Sequence, residues 1–268
     1  MHHFYDPVYN RGFTYGTEWV SSKEWAQNTK KQAGFSDSVL AGTFKSLFSG
    51  EYDYSWDRAV YEYAWEDKER GLKSLGHILH LIEDTGVPDH TRNDPHPSIL
   101  HLGSPYEGWT KKFDRNNIKI TTFTKNPIFL QNIDTYFSHL ANYSNKNFFS
   151  QDTILSTEYR EPTSIVFKSE KLANGLLSTF GYRSLDGIKY RVVRRDESFS
   201  WRESVQNKKK YFIVDDDNLF LTDYWSLLSE QTILHGAGVV KLFFDEVEKE
   251  KQTKTLYDKN KSWLGKQV

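Results

Sequence analysis

The chain has 268 residues, with 35 basic and 36 acidic side chains, a formal net charge of −1 and no cysteine. That balance excludes a global field recruiting nucleic acid or an anionic membrane. The missing thiols exclude disulfides and thiolate metal sites, so any metal must be held by His, Asp and Glu.

In chain order, residues 1–16 read as a loop, because Asp6-Pro7, Asn10-Arg11-Gly12 and Tyr15-Gly16 are turn signals without a sustained period. Ser21-Ser22-Lys23-Glu24 has the form of a capping box and predicts a helix from Trp25 to about Ala33, stopped by Gly34. A second helix is predicted from about Ser38 to Phe48, and a third from Trp56, capped by Ser55, to Arg70. The next follows at Gly71. Its Leu72, Leu75, Ile78, Leu79, Leu81 and Ile82 cover nearly every direction, so it is expected to be buried. Residues 86–103 are irregular and rich in Pro, Asp, Asn, His and Gly, the kind of long segment that often carries function.

Ser104-Pro105-Tyr106-Glu107 then opens a helix with an N-cap and Pro at its first position. Another is predicted from Pro127 to about Phe149, with Phe129, Leu130, Ile133, Tyr136, Phe137, Leu140 and Tyr143 as its buried stripe. From about 151 the character changes. Alternating runs within 185–221, such as Ile188 to Val193 and Tyr211 to Val214, predict strands, with Arg194-Arg195 and Lys208-Lys209-Lys210 on solvated faces. The last strong helix is expected from Asp223 to Lys249, followed by a polar, fraying tail. No apolar run reaches the length of a membrane span, and no phosphate-cradling glycine loop or Gly-x-Ser-x-Gly elbow is present.

Chemistry concentrates around the helix that ends at Thr85. At 100° per residue, His77, His80 and Asp84 fall within about 60° of one another and make a polar stripe on an apolar rod. An isolated His-x-x-x-Asp can satisfy itself by hydrogen bonding, but here Gly86 and Pro88 end the helix and His90 follows, so the chain can turn a third ligand back to the same pocket. Five of the nine histidines lie between 77 and 101: His77, His80, His90, His96 and His101. With Asp84 and Glu107 they form a nitrogen and oxygen donor set suited to Zn²⁺. His139 and His235 lie on predicted packing helices and read as structural.

Leu75-Gly76-x-x-x-His80-x-x-x-Asp84-x-x-x-Pro88-x-His90 resembles the central motif of the zinc-dependent phospholipases C and of their superfamily relatives, the single-strand-specific nucleases. His3-Phe4-Tyr5-Asp6-Pro7 is similar to a segment of the phospholipase branch. The resemblance spans about residues 3–150 and, more weakly, 223–245. It implies a mainly α fold, a helical bundle of the phospholipase C/nuclease type; with the strand runs and polar tail read above, the chain is expected to be a single domain over 1–268 with a small β-containing insertion at 151–221 and a frayed tail at 250–268. The resemblance further implies two or three zinc ions. His3 and His80 would bind one, Asp84 would bridge it to a neighbour and serve catalysis, and His90 and Glu107 would bind another with His96 or His101. The family position four residues before the Glu is Gly103 here, and His96 is the favoured substitute. His77 is expected to support the ligands by hydrogen bonding, or to replace one.

The activity implied is phosphodiester hydrolysis of phospholipase C type, on a phospholipid met by transient contact with a membrane surface. The alternatives are a single-strand nuclease-like phosphodiesterase, and a zinc-binding protein with impaired catalysis. Family members carry further ligands ahead of the His-Phe-Tyr-Asp-Pro block, so the chain reads as a shortened member. A leader upstream would make it extracytoplasmic or secreted; otherwise it is expected in the cytoplasm.

Overall fold

A computed structural model of the chain describes residues 2–14, 18–32, 53–94, 104–111, 125–154, 156–172, 174–175, 177–185, 187–196, 210–213 and 219–264. The helix expected over Ser38–Phe48 lies outside them, as do His96 and His101. Helix α1 (Ser22–Gln27) starts directly after its Ser21 cap, whose hydroxyl accepts the Glu24 amide at 3.2 Å, three residues ahead of the expected start at Trp25, and ends at Gln27. Helix α2 (Trp56–Trp65) ends earlier than the sequence suggests, and α3 (Lys68–Asp84) starts before Gly71. The cause is Asp67, whose carboxylate takes the Glu69 and Arg70 amides at 2.9 and 3.2 Å and so caps a new helix. Gly71 is needed within α3 for another reason. A Cβ there would lie 2.7 Å from the Cβ of Tyr63, so its absence lets α2 and α3 fold against each other.

Three turn bonds end α3, from Thr85 to Ile82, Gly86 to Glu83 and Val87 to Asp84, and Pro88 opens the one-turn helix α4 (Pro88–Thr91). Ser104 caps α5 (Pro105–Thr110). Helix α6 (Ile133–Asn147) starts at Asn132, which caps Thr135, rather than at Pro127. Residues 126–130 precede it without helix, and Phe129, expected inside, is 60% exposed. Gln151–Thr153 make a 3₁₀ turn.

Four strands follow: β1 (Val166–Lys171), β2 (Leu177–Leu185), β3 (Ile188–Asp196) and β4 (Lys210–Phe212). They form one antiparallel meander in sequence order. Val166 faces Tyr182, Thr179 faces Arg195, and Arg195 faces Tyr211. Gly187, at φ +80, permits the tight turn between β2 and β3, and a bulge at Gly181/Tyr182 shifts the register. The chain closes with α7 (Leu219–Thr253) and α8 (Thr255–Leu264).

The fold is therefore mixed α and β, which corrects the expectation of a mainly α helical bundle with a small β insertion. Strands β1 and most of β2 lie within the expected 151–221 insertion but ahead of the alternating runs read at 185–221. In β1 nearly every residue is exposed, so Val166-Phe167-Lys168-Ser169-Glu170-Lys171 has no one-sided apolar alternation to read. Its strand character comes from pairing with β2. The tail also differs. Glu250, buried, accepts the Leu256 and Tyr257 amides and the Trp65 indole N–H, which fastens the start of α8 where fraying was expected.

Helix α7 is the wall shared by two cores. Its C-terminal half packs Val239, Phe243 and Val247 against Trp56, Val60, Ile78, Ile82 and Phe137 from α2, α3 and α6. Its N-terminal half packs Tyr224, Leu227 and Leu228 against Tyr106, Phe148, Tyr190 and Val193. The Tyr224 hydroxyl donates to the Val192 carbonyl at 2.7 Å and accepts the Phe149 amide at 3.2 Å, tying sheet, α6 end and α7 together. None of the described helices is long and apolar enough to cross a membrane.

Candidate metal centre

One face of α3 remains uncovered. Leu72 is 47% exposed, and Gly76, His77, His80 and Glu83 also face outward, whereas Leu75, Ile78, Leu81 and Ile82 point into the core. The helix is half buried, not buried all round as its apolar count suggested. Of the polar stripe only Asp84 is withdrawn from solvent, at 8% exposure. A carboxylate so placed needs compensation, and imidazoles from three segments supply it.

The N-terminal segment brings His3. Tyr5 donates its amide to the His90 carbonyl at 3.2 Å and Ser22 donates to the Phe4 carbonyl at 2.9 Å, so residues 4 and 5 are pinned between the α3–α4 corner and the start of α1. Beyond them, buried Asp6 accepts the Val8 amide, the Arg11 Nε–H and the Tyr159 hydroxyl at 2.9, 3.2 and 2.8 Å. Burial, reinforced by Asp6, holds the Tyr159 hydroxyl well above the usual phenol range. Asn93 pairs with Thr14 and closes the same strap. This anchorage was not visible in the spacing of ligands, although the turn signals at Asp6-Pro7 and Asn10-Arg11-Gly12 mark it.

Asp84 is the hub. His3 Nδ1–H donates to its Oδ2 at 2.6 Å, and His80 Nε2 lies 3.6 Å from the same oxygen. His90 Nδ1 lies 3.5 Å from Oδ1, and its proton is directed at the Asp84 carbonyl 3.3 Å away. The other His90 nitrogen, Nε2, sits 3.3 Å from Glu107 Oε1. Among the described residues, His3, His80 and Asp84 form a group whose donor atoms all lie within 4.8 Å of one another, and this group could hold a metal ion. Zinc with nitrogen and oxygen ligands at 2.0–2.2 Å separates neighbouring donors by roughly 3.3–3.5 Å, so the 3.6 Å pair already stands at such a spacing. The 2.6 Å pair is the hydrogen bond that a cation would replace on opening by less than an ångström.

His77 stands one turn before His80, and its ring rests on Tyr54 with centroids 4.5 Å apart. Burial, with smaller contributions from Lys73 and His80, lowers its pKa, which favours a neutral ring. The structure therefore brings His3, His80, Asp84, His90 and Glu107 together around the end of α3 and leaves His77 packed on an aromatic neighbour.

Two residues went unnoticed in the sequence. Arg92 is fully buried, with Nε–H donating to Thr153 Oγ1 at 2.7 Å and Nη1–H to the Asn145 carbonyl at 2.8 Å. Rings of Phe149 and Tyr159 lie 5.5 and 5.2 Å from its guanidinium carbon. Burial pushes its pKa down to about 10, still cationic at neutral pH, and it fastens α4 to the end of α6. The other is Asp89, 1% exposed, which accepts the Ser104 hydroxyl at 2.8 Å. Compared with known proteins, the chain matches no family model, no curated sequence and no solved structure.

Proposed function

We propose that this protein is a zinc-dependent phosphodiester hydrolase of phospholipase C type, acting on a phospholipid headgroup. The observation that carries the reading is the hub itself. One withdrawn carboxylate presents Oδ2 to His3 and His80 and faces His90 with Oδ1, while Glu107 stands beside the far nitrogen of His90. A donor set of imidazole and carboxylate alone, at these separations, fits zinc in a hydrolytic site. His3, His80 and Asp84 would hold a first ion, and His90 and Glu107 would contribute to a second.

Bound there, zinc supplies charge neutralisation at the phosphoryl group and acidifies water for attack. The remaining roles belong to the chain. Asp84, fixed by the end of α3, sets the spacing between the two positions. His80, exposed on the open face of α3, faces an incoming phosphodiester, while the buried flank of Leu75, Ile78 and Ile82 keeps water from behind the hub. The backbone bond from Tyr5 to His90 holds His3 in place before any ligand arrives, so little ordering remains to be done on binding.

The test is metal analysis combined with turnover of phosphatidylcholine vesicles and of single-stranded DNA. Bound zinc and release of phosphorylcholine are expected from the native chain. Asp84→Asn should lower turnover by about 10–100-fold or more, the loss typical even of groups that only orient ligands. Cleavage of DNA in preference to lipid would move the assignment to a nuclease. Stoichiometric zinc without any phosphodiester cleavage would leave a zinc-binding protein in place of an enzyme.

A further inference from the structure

We propose that Ser104 and Asp89 form a positioning pair that sets the separation of His90 and Glu107, and with it the affinity of the second metal position. The inference rests on the zinc reading above and deepens it. His90 belongs to α4, a single helical turn, and Glu107 to α5, six residues long. Arg92 and the Tyr5–His90 bond anchor α4, and Tyr106 anchors α5 against α7, so what the spacing between the two side chains still needs is a direct link between the two elements.

The link is one hydroxyl. Ser104 Oγ–H donates to Asp89 Oδ2 at 2.8 Å, and the same oxygen accepts the backbone N–H of Glu107 at 3.2 Å. A serine has a single proton, so its assignment to Asp89 leaves the lone pairs for the α5 amide. Asp89 immediately precedes His90, and the capped amide is that of Glu107 itself. The chain of contact thus runs from the residue beside one ligand, through Ser104, to the backbone of the other. Ser104 and Asp89 are 4% and 1% exposed, so water does not compete for the bond. On the far side the Asp89 carbonyl accepts the Asp94 amide at 3.0 Å, which holds the exit of α4 against the same anchor.

A helix cap alone would require only the bond to Glu107. The second bond, to a buried carboxylate on another element, is what makes Ser104 a coupler. Removal of the hydroxyl should loosen α5 against α4 while His3, His80 and Asp84 keep their own supports on the N-terminal strap and α3.

The experiment is a zinc titration of the whole chain against a chromophoric chelator, for the native protein, Ser104→Gly, Ser104→Ala and Ser104→Thr, with the melting temperature of each metal-free protein recorded alongside. Gly is tolerated at an N-cap and Ala is not, so the two deletions differ in helix stability but share the lost hydroxyl. The native chain and Ser104→Thr should take a first and a second zinc. Ser104→Gly and Ser104→Ala should keep the first unchanged and lose about 10–100-fold in affinity for the second. A second zinc held at native affinity by Ser104→Gly would overturn the coupling and leave Ser104 a cap. Loss of the second zinc in Ser104→Ala alone, in step with its melting temperature, would do the same. A native chain that binds no zinc at all would instead remove the reading on which the coupling rests.

Discussion

His235 shows how a single side chain can write its protonation state into the stability of the molecule. Its Nδ1–H donates to the Gln231 carbonyl at 2.6 Å, so Nε2 is left to accept from His139 Nδ1–H at 2.8 Å. The ring has no exposed surface, and burial, with the neighbouring His139 adding to it, pushes its pKa down to about 4. The folded pKa lies below the unfolded value of 6.5, so unfolding takes up a proton whenever the pH lies between them. The contribution of this residue to stability is complete above about pH 6.5 and is lost progressively as the pH falls towards 4. In chelator-treated protein, melting temperature should stay level from neutral to mildly alkaline pH and decline through that window. His235→Gln should show a shallower decline. Parallel slopes in the two proteins would place the acid sensitivity at other histidines. His139 and His235 lay on predicted packing helices; His235 is buried there while His139 is exposed, and their mutual hydrogen bond, 96 residues apart in sequence, could not be read from either helix alone.

Between elements, the limiting contacts are close approaches of backbone. On α7, a Cβ at Gly238 would fall inside the radius of the Ile128 carbonyl oxygen and 2.5 Å from the Tyr136 hydroxyl, which itself donates to that carbonyl at 2.9 Å. Gly238→Ala should therefore destabilise the protein by about 1–3 kcal/mol, the range of overpacking substitutions, as measured by the denaturant midpoint. A midpoint unchanged from the native chain would mean that residues 126–130 can shift away from α7 at little cost. Gly238 marks this contact in the sequence, and its partner is Ile128, in a segment expected to be helical. The misreadings among elements have common causes. A cap such as Asp67 or Asn132 outweighed helical periodicity, and strand β1 is made by its partner and not by its own pattern. The core of the site was legible for the opposite reason, because His80, Asp84 and His90 lie on one helix and the turn after it, where spacing alone fixes proximity. His3 was reached through resemblance; Ser104 was read as a helix cap, but its bond to Asp89 and those of Arg92 to Thr153 and Asn145 were missed because the partners lie 15 to 61 residues apart.

For the whole molecule, metal should act as a clasp. The donors come from the N-terminal strap, α3, α4 and α5, and in the unfolded chain nothing holds them together. Zinc at about 100 times its dissociation constant should add about 2.7 kcal/mol to folding. For a chain of this size that corresponds to a rise of roughly 5–10 °C in melting temperature, reversed by chelator and absent in Asp84→Asn. An identical melting temperature with and without zinc would show that the donors do not bind it as a group. The 35 residues of α7 have a further consequence. One uninterrupted rod, roughly 50 Å long, walls both cores, so the hub end of the molecule and the sheet end are kept in phase by helical pitch alone. A single residue inserted near its middle would rotate one end by about 100° against the other and could not satisfy both sets of packing partners. A seven-residue insertion would restore the facing to within about 20° but push the two ends apart by roughly 10 Å. The middle of α7 should therefore tolerate exchange of side chains far better than any change of length.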